Sequence, residues 1–529
     1  MRLVTSEQMR RLDARTIALG TPSIDLMERA GEGVAEGIHR RFAAACRRDV
    51  LVVAGAGNNG GDGFVIARRL ATRGYRARVA LLVPESRVKG DARANLERWR
   101  RRRGRLIELG DRSGASLRRE LDGAIAAAGV VVDTVFGTGL GRPVEGRFAE
   151  ALEVMNDHAA RKGRPRRVVA VDLPSGLDGD RGEPLGVAVR ADVTYTLGAV
   201  KLGLVLPVAR PWVGDLELVE IGLARAAFDE EAPLACGSHA EEVWPLLARR
   251  DAGGHKGTHG HLLIVAGAPG TSGAAVLAGR AALRAGAGLV TVACPPEVQP
   301  LVAAALPEVM TAATERFSAA DWTARLEGKR ALAIGPGLGT SPAAIRLVRW
   351  LVQRAEAPLL IDADGLNALA GSVEILRRAK APVVLTPHPG EMSRLTGKST
   401  SEVQGNRRRV CIDLARETGA VVVLKGSGTL VAAPDGRLAV NLNGGPILGT
   451  AGTGDVLSGL IGSLLAQGIE AWDAARLGVY LHGRAGDLLS ERLGDAGLLA
   501  SELADEVPLA RRELLETGAG RAAGPFPRA

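Results

Sequence analysis

The chain has 529 residues, 46% hydrophobic and 24% charged, with a formal net charge of +9. At roughly 150 residues per domain this length suggests two to four domains, with a balance that excludes disordered and fibrous classes. Aromatic residues make up only 3%, beside 69 glycines, so the core must be aliphatic.

A basic chain suits nucleic acid, acidic membranes or small anions. The densest run, Arg98 to Arg105, holds six arginines and one aromatic, Trp99. It lacks the stacking series of a single-strand binder and reads as a solvated helix end. Cys46, Cys236, Cys294 and Cys411 are far apart with no CxxC pair, so neither a zinc site nor a disulfide framework is expected. The start carries no signal-like apolar run, and no stretch reaches the roughly 18 apolar residues of a membrane span. The expectation is a cytoplasmic protein that binds neither membrane nor nucleic acid; homo-oligomerisation is left open.

Two α/β units follow one another. The first opens with helices capped by Ser6 and Ser23, then a strand at Val50–Ala54 and a helix from about Phe64 to Thr72. More strands are expected at Val79–Val83, Gly129–Val132 and Val168–Val171. Short apolar strands alternating with helices indicate a parallel sheet covered on both faces. Periodicity lapses near Ala224–His239, so residues 224–238 are read as a linker between domains at 1–223 and 239–515. The second unit has strands at Leu262–Ala266, Leu289–Ala293, Ala331–Ile334, Pro358–Ile361, Val383–Leu385 and Val421–Leu424, and a helix from Asp455 to Leu465. Residues 516–529, rich in Gly, Ala, Pro and Arg, read as a disordered tail.

The first strand runs into Gly55-Ala56-Gly57-Asn58-Asn59-Gly60-Gly61-Asp62-Gly63. GxGxxG between strand and helix suits a pyrophosphate, although alone it is a weak signal. Two adjacent Asn and an Asp among glycines add oxygen donors for a hard cation; a plain turn is the blander reading. Asp133 leads to Gly137-Thr138-Gly139-Leu140-Gly141-Arg142-Pro143, and Asp172 leads to Pro174-Ser175-Gly176. Ligands of open parallel sheets bind at strand carboxyl ends, so these loops should converge. Each Asp taken alone could equally be a helix cap.

Together, GxGNNGGDG, DxxFGTGLGRP and DLPSGLDGD, with Met9, Asp13 and Leu26 to Gly31 upstream, resemble the NAD(P)HX epimerase family, the YjeF N-terminal domain. The resemblance runs to about Gly222. It implies a Rossmann-like fold and a hydrate pocket from Asn58, Asn59, Gly60, Gly61 and Asp62, residues Gly137 to Pro143, and Asp172. It also implies a potassium ion held by Asn59, Asp133 and Ser175. The substrate would be a reduced nicotinamide hydrated at ring carbon C6, a carbinolamine. Inversion there needs a proton shuttle, for which Asp172 is the first candidate and Lys201 the second. For Lys201 a surface lysine on a turn is an equal reading.

In the second unit Gly449-Thr450-Ala451-Gly452-Thr453-Gly454-Asp455 opens a helix. A glycine turn at a helix N-terminus is an anion hole, and an Asp at its end can take a proton from a hydroxyl attacking phosphate. Lys425-Gly426-Ser427-Gly428-Thr429 follows a strand, as do Gly335 to Gly339 and the loop of His388, between two prolines. These segments resemble the ribokinase-like dehydratase of the S hydrate, the YjeF C-terminal domain, from Gly254 to about Leu509. The resemblance implies that Gly273, Ala274, Gly337 and His388 touch the hydrate. Lys425 to Thr429 and Gly454 would hold the adenine nucleotide, with Asp455 as base and hydrate contact. ADP would be the co-substrate, giving AMP, with magnesium. The chain departs from that family at Ala451, usually a second glycine, and lacks a Tyr often found in the Gly267–Ser272 loop.

The sequence-level expectation is thus an α/β chain that epimerises NADHX and NADPHX and dehydrates the S form. Two alternatives remain: a vitamin-precursor or sugar kinase on the ribokinase-like fold, and a first unit that merely binds cofactor as a scaffold.

Overall fold

The computed structural model describes residues 2–160, 167–230, 235–250, 253–314 and 318–522. The chain divides into two compact units, Arg2–Ala235 and the part from Cys236 onward.

In the first unit the strands are β1 (Arg2–Val4), β2 (Asp49–Ala54), β3 (Ala77–Leu81), β4 (Arg105–Glu108), β5 (Ala128–Thr134), β6 (Arg167–Val171), β7 (Val193–Leu197), β8 (Val200–Lys201) and β9 (Asp215–Val219). Seven form one parallel sheet in the order β4-β3-β2-β5-β6-β7-β9. Along β2 the side chains alternate between two cores. Val50, Val52 and Ala54 pack with helices Ser23–Cys46 and Asn58–Thr72 on one face. Leu51 and Val53 pack with helices Gly114–Ala127 and Gly146–Ala160 on the other. Such double burial explains why these strands read as unbroken apolar runs. The chain steps outward from β2 to β4, then returns to place β5 on the other side of β2. The switch point therefore lies between β2 and β5, where a ligand crevice forms.

The second unit has β10 (Ala235–Ser238), which spans the division, followed by β11 (His261–Val265), β12 (Leu289–Cys294), β13 (Met310–Ala313), β14 (Ala331–Ile334), β15 (Leu359–Ile361), β16 (Val383–Leu385), β17 (Val421–Leu424), β18 (Leu430–Ala432) and β19 (Leu438–Asn441). Its main run is β13-β12-β11-β14-β15-β16-β17, all parallel, extended by antiparallel β18 and β19. Leu262, Ile264 and Ala266 point into a core with helices Ser272–Ala285, Thr453–Ala466, Ala471–Leu493 and Ala500–Ala522. The switch point here lies between β11 and β14.

Several boundaries differ from the sequence reading. The cap of the first helix is Thr5, which forms a capping box with Gln8, and Ser23 is the first residue of its helix, after Pro22. The helix expected from Phe64 begins at Asn58, so the polar glycine segment is itself the helix's first turn. Within 224–238, Arg225–Glu230 is helical and Ala235–Ser238 is a strand, while 231–234 lie outside the described residues. The helix Ala500–Ala522 runs through the first part of the stretch expected to be a disordered tail, and 523–529 lie outside the described residues. The arginine run closes the helix Gly90–Arg101 in exposed ion pairs, Arg100 with Glu108 at 3.0 Å among them. No helix among the described residues is long and apolar enough to cross a membrane.

Candidate active sites

In the first unit the loops after β2, β5 and β6 meet around a cleft of about 870 Å³. Asn58, Asn59, Asp62, Gly137 to Arg142, Asp172 and Lys201 line it, as expected from the sequence. Gly60, Gly61 and Pro143 are not among its lining residues. Gly60 lies under the turn, where a Cβ would come 2.2 Å from the Gly55 carbonyl oxygen, and Gly61 faces Met27. Gly60 is needed for close backbone packing, whereas at Gly61 the closest atoms are the far end of the Met27 side chain.

Asp172 stands at the carboxyl end of β6 in the left-handed region, φ 68°. A non-glycine residue held there costs about 1–3 kcal/mol, typically at a functional position. Lys201, at the end of β8, donates to Asp172 Oδ1 at 2.5 Å, to Leu197 O at 2.8 Å and to Thr196 Oγ1 at 3.3 Å. Its side chain is only 1% exposed, so it is no surface lysine. Asp62 is buried, and burial followed by Asp172 and Asp13 pushes its carboxyl well up.

Beneath the cleft, Ser175 Oγ donates to Asp133 Oδ1 at 2.6 Å and Ser175 N to Asp133 Oδ2 at 2.7 Å. Phe136 N donates to Ser175 Oγ at 2.8 Å. Asn59 Nδ2 donates to the carbonyls of Phe136 and Val171, leaving Asn59 Oδ1 buried with no hydrogen-bond partner. Burial pushes Asp133 up to about 6 against the lowering effect of its Ser175 hydrogen bonds. An orphaned amide oxygen, a carboxylate short of positive charge and nearby carbonyls make an all-oxygen donor set, which fits a hard cation.

In the second unit the loops after β11 and β14 touch: Thr271 Oγ1 donates to Gly337 O at 2.7 Å and Gly267 N to Pro336 O at 2.9 Å. Gly337 has φ 57°, and a Cβ there would lie 3.0 Å from the Ala274 Cβ. Gly337 and Ala274 are thus together, with Gly273 beside them in the first turn of the helix Ser272–Ala285. Further along, Lys425 Nζ donates to Asp362 Oδ1 at 2.7 Å and lies 3.7 Å from Glu391. Ser458 Oγ donates to Asp362 Oδ2 at 2.6 Å. A Cβ on Gly454 would come 3.5 Å from Lys425 Nζ, which places the lysine at the helix N-terminus. Burial pulls Lys425 down, but Asp362, Glu391 and Asp455 outweigh it, and the net shift is upward. Asp455 is pushed up to about 6, first by burial, then by Asp362, against Lys425.

His388 caps the helix Pro389–Thr396, accepting from Gly390 N at 3.0 Å, with its side chain half exposed. In the Lys425–Thr429 turn, Thr429 Oγ1 donates to Gly426 O, and Arg407 holds the carbonyls of Leu424 and Lys425. Ala451 is exposed, and Gly452 takes the left-handed N-cap position at φ 88°. The arrangement supplies donors for phosphate oxygens and a carboxylate at the same helix end.

The family described as NAD(P)H-hydrate dehydratase matches residues 262–509, and that described as YjeF-related protein N-terminus matches residues 23–203. The bifunctional NAD(P)H-hydrate repair enzyme Nnr of Moorella thermoacetica is 41% identical, over 98% of this chain and 98% of its own. This chain belongs to the bifunctional NAD(P)H-hydrate repair enzyme family. Its relative from Thermofilum pendens is 39% identical over 93% of this chain and 92% of its own. A solved ADP/ATP-dependent NAD(P)H-hydrate dehydratase from Bacillus subtilis, co-crystallized with ATP and Mg2+, is 35% identical. It covers 53% of this chain and 98% of its own at a TM-score of 0.47.

In this member of the family, sequence reasoning missed Asp362, Ser458 and Glu391 in the second site and gave Asp13 no role. A signal for Asp362 was present, since it ends an apolar strand as Asp133 and Asp172 do. Ala363 after it has φ 48°, another strained strand end. Nothing local marks Ser458, whose partner is 96 positions away.

Proposed function

We propose that this chain repairs hydrated nicotinamide cofactors, NADHX and NADPHX. Its first unit interconverts the R and S hydrates, and its second dehydrates the S hydrate with ADP, giving AMP and phosphate. One observation carries this reading. A chain related end to end to bifunctional repair enzymes holds two separate lysine–carboxylate sites, one at the strand ends of each sheet.

In the second site Asp455 takes the proton of the C6 hydroxyl as that oxygen attacks the β-phosphorus of ADP, and the bond to the AMP oxygen breaks. Lys425, the Gly426–Thr429 turn and the N–H groups at Gly454 hold the charged oxygens. Phosphate then leaves C6, pushed out by the ring nitrogen lone pair, and loss of a C5 proton restores the dihydropyridine. Gly273, Ala274, Gly337 and His388 hold the hydrate. Among the described residues no group of three or more His, Cys, Asp or Glu is arranged to hold a metal. Magnesium, when bound with the nucleotide, would supply positive charge to its phosphate oxygens beside Lys425. In the first site Asn59, Asp133 and Ser175 would hold potassium, which supplies positive charge under the pocket. Asp172, oriented by Lys201, moves the proton at C6.

The test incubates separate R and S hydrates with Mg2+ and ADP, ATP or neither, with and without potassium, and follows reduced nicotinamide absorbance. The S hydrate should recover with nucleotide alone. The R hydrate should recover only through epimerisation, faster with potassium. A stable phosphorylated product without reduced cofactor would point to a kinase instead.

A further inference from the structure

Asp13 lies on the helix Ser6–Ala18 and faces the same cleft as Asp172 and Lys201. Its neighbours at helical spacing, Met9 and Thr16, are buried, so it is a carboxyl at the inward face of the helix. Asp13 Oδ1 is buried and accepts no hydrogen bond. Lys201 offers it none, because a lysine ammonium has three protons and those of Lys201 are directed to Asp172, Leu197 and Thr196. Helix capping offers no reason for it either, since Thr5 and Gln8 close that end. A carboxyl oxygen buried without a hydrogen bond, on a side chain that is otherwise half-buried, destabilises the fold, so its place at a reaction cleft calls for a chemical reason.

Inversion at a carbinolamine carbon supplies that reason. The hydroxyl must leave with a proton on one face of the ring, and water must lose a proton as it adds to the other. One aspartate serves one face. Asp13, Asp62 and Asp91 come from three different helices and Asp172 from a strand end, so the cleft presents carboxyls from four elements. Asp62 is the most deeply buried, its carboxyl pushed well up by burial first, which leaves Asp13 as the partner for Asp172.

We propose that Asp13 is the second acid–base residue of the epimerisation, paired with Asp172. The assignment rests on the epimerase reading of the first unit. One carboxyl protonates the C6 hydroxyl, the C6–O bond breaks, and water departs as the ring nitrogen lone pair forms a C6–N1 iminium. A water then adds to the opposite face and gives its proton to the other carboxylate. Atoms and charge balance, with one proton passed from one aspartate to the other. The reverse inversion exchanges their roles, and solvent resets the pair. Burial, against Lys201 and aided by Asp172, pushes Asp13 up to about 6, within range of a group that must both give and take a proton near neutrality.

The experiment follows inversion of pure R hydrate by chromatography, in potassium buffer and without nucleotide, using the full chain in 18O-labelled water. Wild type should invert with one solvent oxygen incorporated at C6 per inversion. Asp13→Asn should lower kcat on the order of a hundred- to ten-thousand-fold with KM little changed. It should melt at or above wild type, because a half-buried negative charge is gone. Asp13→Glu should restore part of the rate, and it keeps the question answerable if the Asn variant does not fold. Wild-type kcat in both variants, a raised KM at intact kcat, or inversion with the original oxygen retained would each overturn the proposal while leaving the epimerase reading in place. Failure of wild type to invert the hydrate would overturn the reading itself.

Discussion

Asp455 must be ionised to act as the base proposed for it, yet it sits half-buried near Asp362 in the first turn of its helix. Its carboxyl is raised from 3.8 to about 6 by burial first and by Asp362 next. Between about pH 4 and 6 the folded chain therefore holds a proton that the unfolded chain has lost. Stability falls as pH rises through that window, and the whole cost is present above it. Asp455→Asn should melt higher than wild type at pH 7.5, by on the order of 1–2 kcal/mol once partial exposure is allowed for. That advantage should shrink as pH falls towards 4. Dehydration should show the opposite slope, with wild-type kcat falling as pH drops through about 6. A variant that melts lower than wild type at pH 7.5, or a rate flat from pH 5 to 8, would contradict this account of Asp455. The same opposition recurs at Asp172 and at Ala363 beside Asp362, held at φ 68° and 48° where L-residues are strained. At these strand ends local stability is given up for placement.

Glycines divide the helix Thr453–Ala466 into a chemical end and a packing end. At Gly454 a methyl group would meet Lys425 Nζ at 3.5 Å, ordinary contact. At Gly459 it would sit 2.0 Å from the Ala278 carbonyl oxygen, on the helix Ser272–Ala285 packed against it. Gly454→Ala should leave the melting temperature near wild type but raise the KM for ADP about tenfold or more, by crowding the phosphate site. Gly459→Ala should lower stability by several kcal/mol, as overpacking against fixed backbone does, with KM for ADP unchanged in whatever remains folded. Thermal melts and ADP titrations separate the two, and an exchange of effects would refute the division. This contrast also shows what a sequence reveals at this scale. Strands β14, β16 and β17 were legible to the residue because they are short apolar runs buried on both faces. The start of the Asn58–Thr72 helix was not, because asparagines and glycines resemble a turn until the Gly55 oxygen and Thr134 hydroxyl that require them are in place. The loops carrying Asp133, Asp172 and Asp455 stood out by composition. Asp13 and Ser458 did not, since a lone carboxyl or hydroxyl on a helix face acquires meaning only from partners far along the chain.

Across the whole molecule, two units with separate cores and separate carboxylate–lysine pairs carry two chemistries on one substrate, and the order of those chemistries can be tested. Only the S hydrate is expected to enter the dehydratase site, so R hydrate must first be inverted by the other unit. With mixed epimers, magnesium and ADP, wild type should restore reduced cofactor in one continuous course. Asp172→Asn removes one of the two carboxyls proposed to act at C6 in the first site and leaves Asp455 in place. It should give a fast phase equal to the S fraction and a remainder limited by uncatalysed inversion. Asp455→Asn removes the carboxylate proposed as the base of the second site, so recovery should fall on the order of a hundred- to ten-thousand-fold. Chromatography of the unreacted hydrate should still show R and S interconverting at the wild-type rate. The fast-phase amplitude is the decisive quantity, because it must track the S fraction supplied rather than the enzyme concentration. A folded protein with either substitution that lost both activities would refute the assignment of the two steps to two sites.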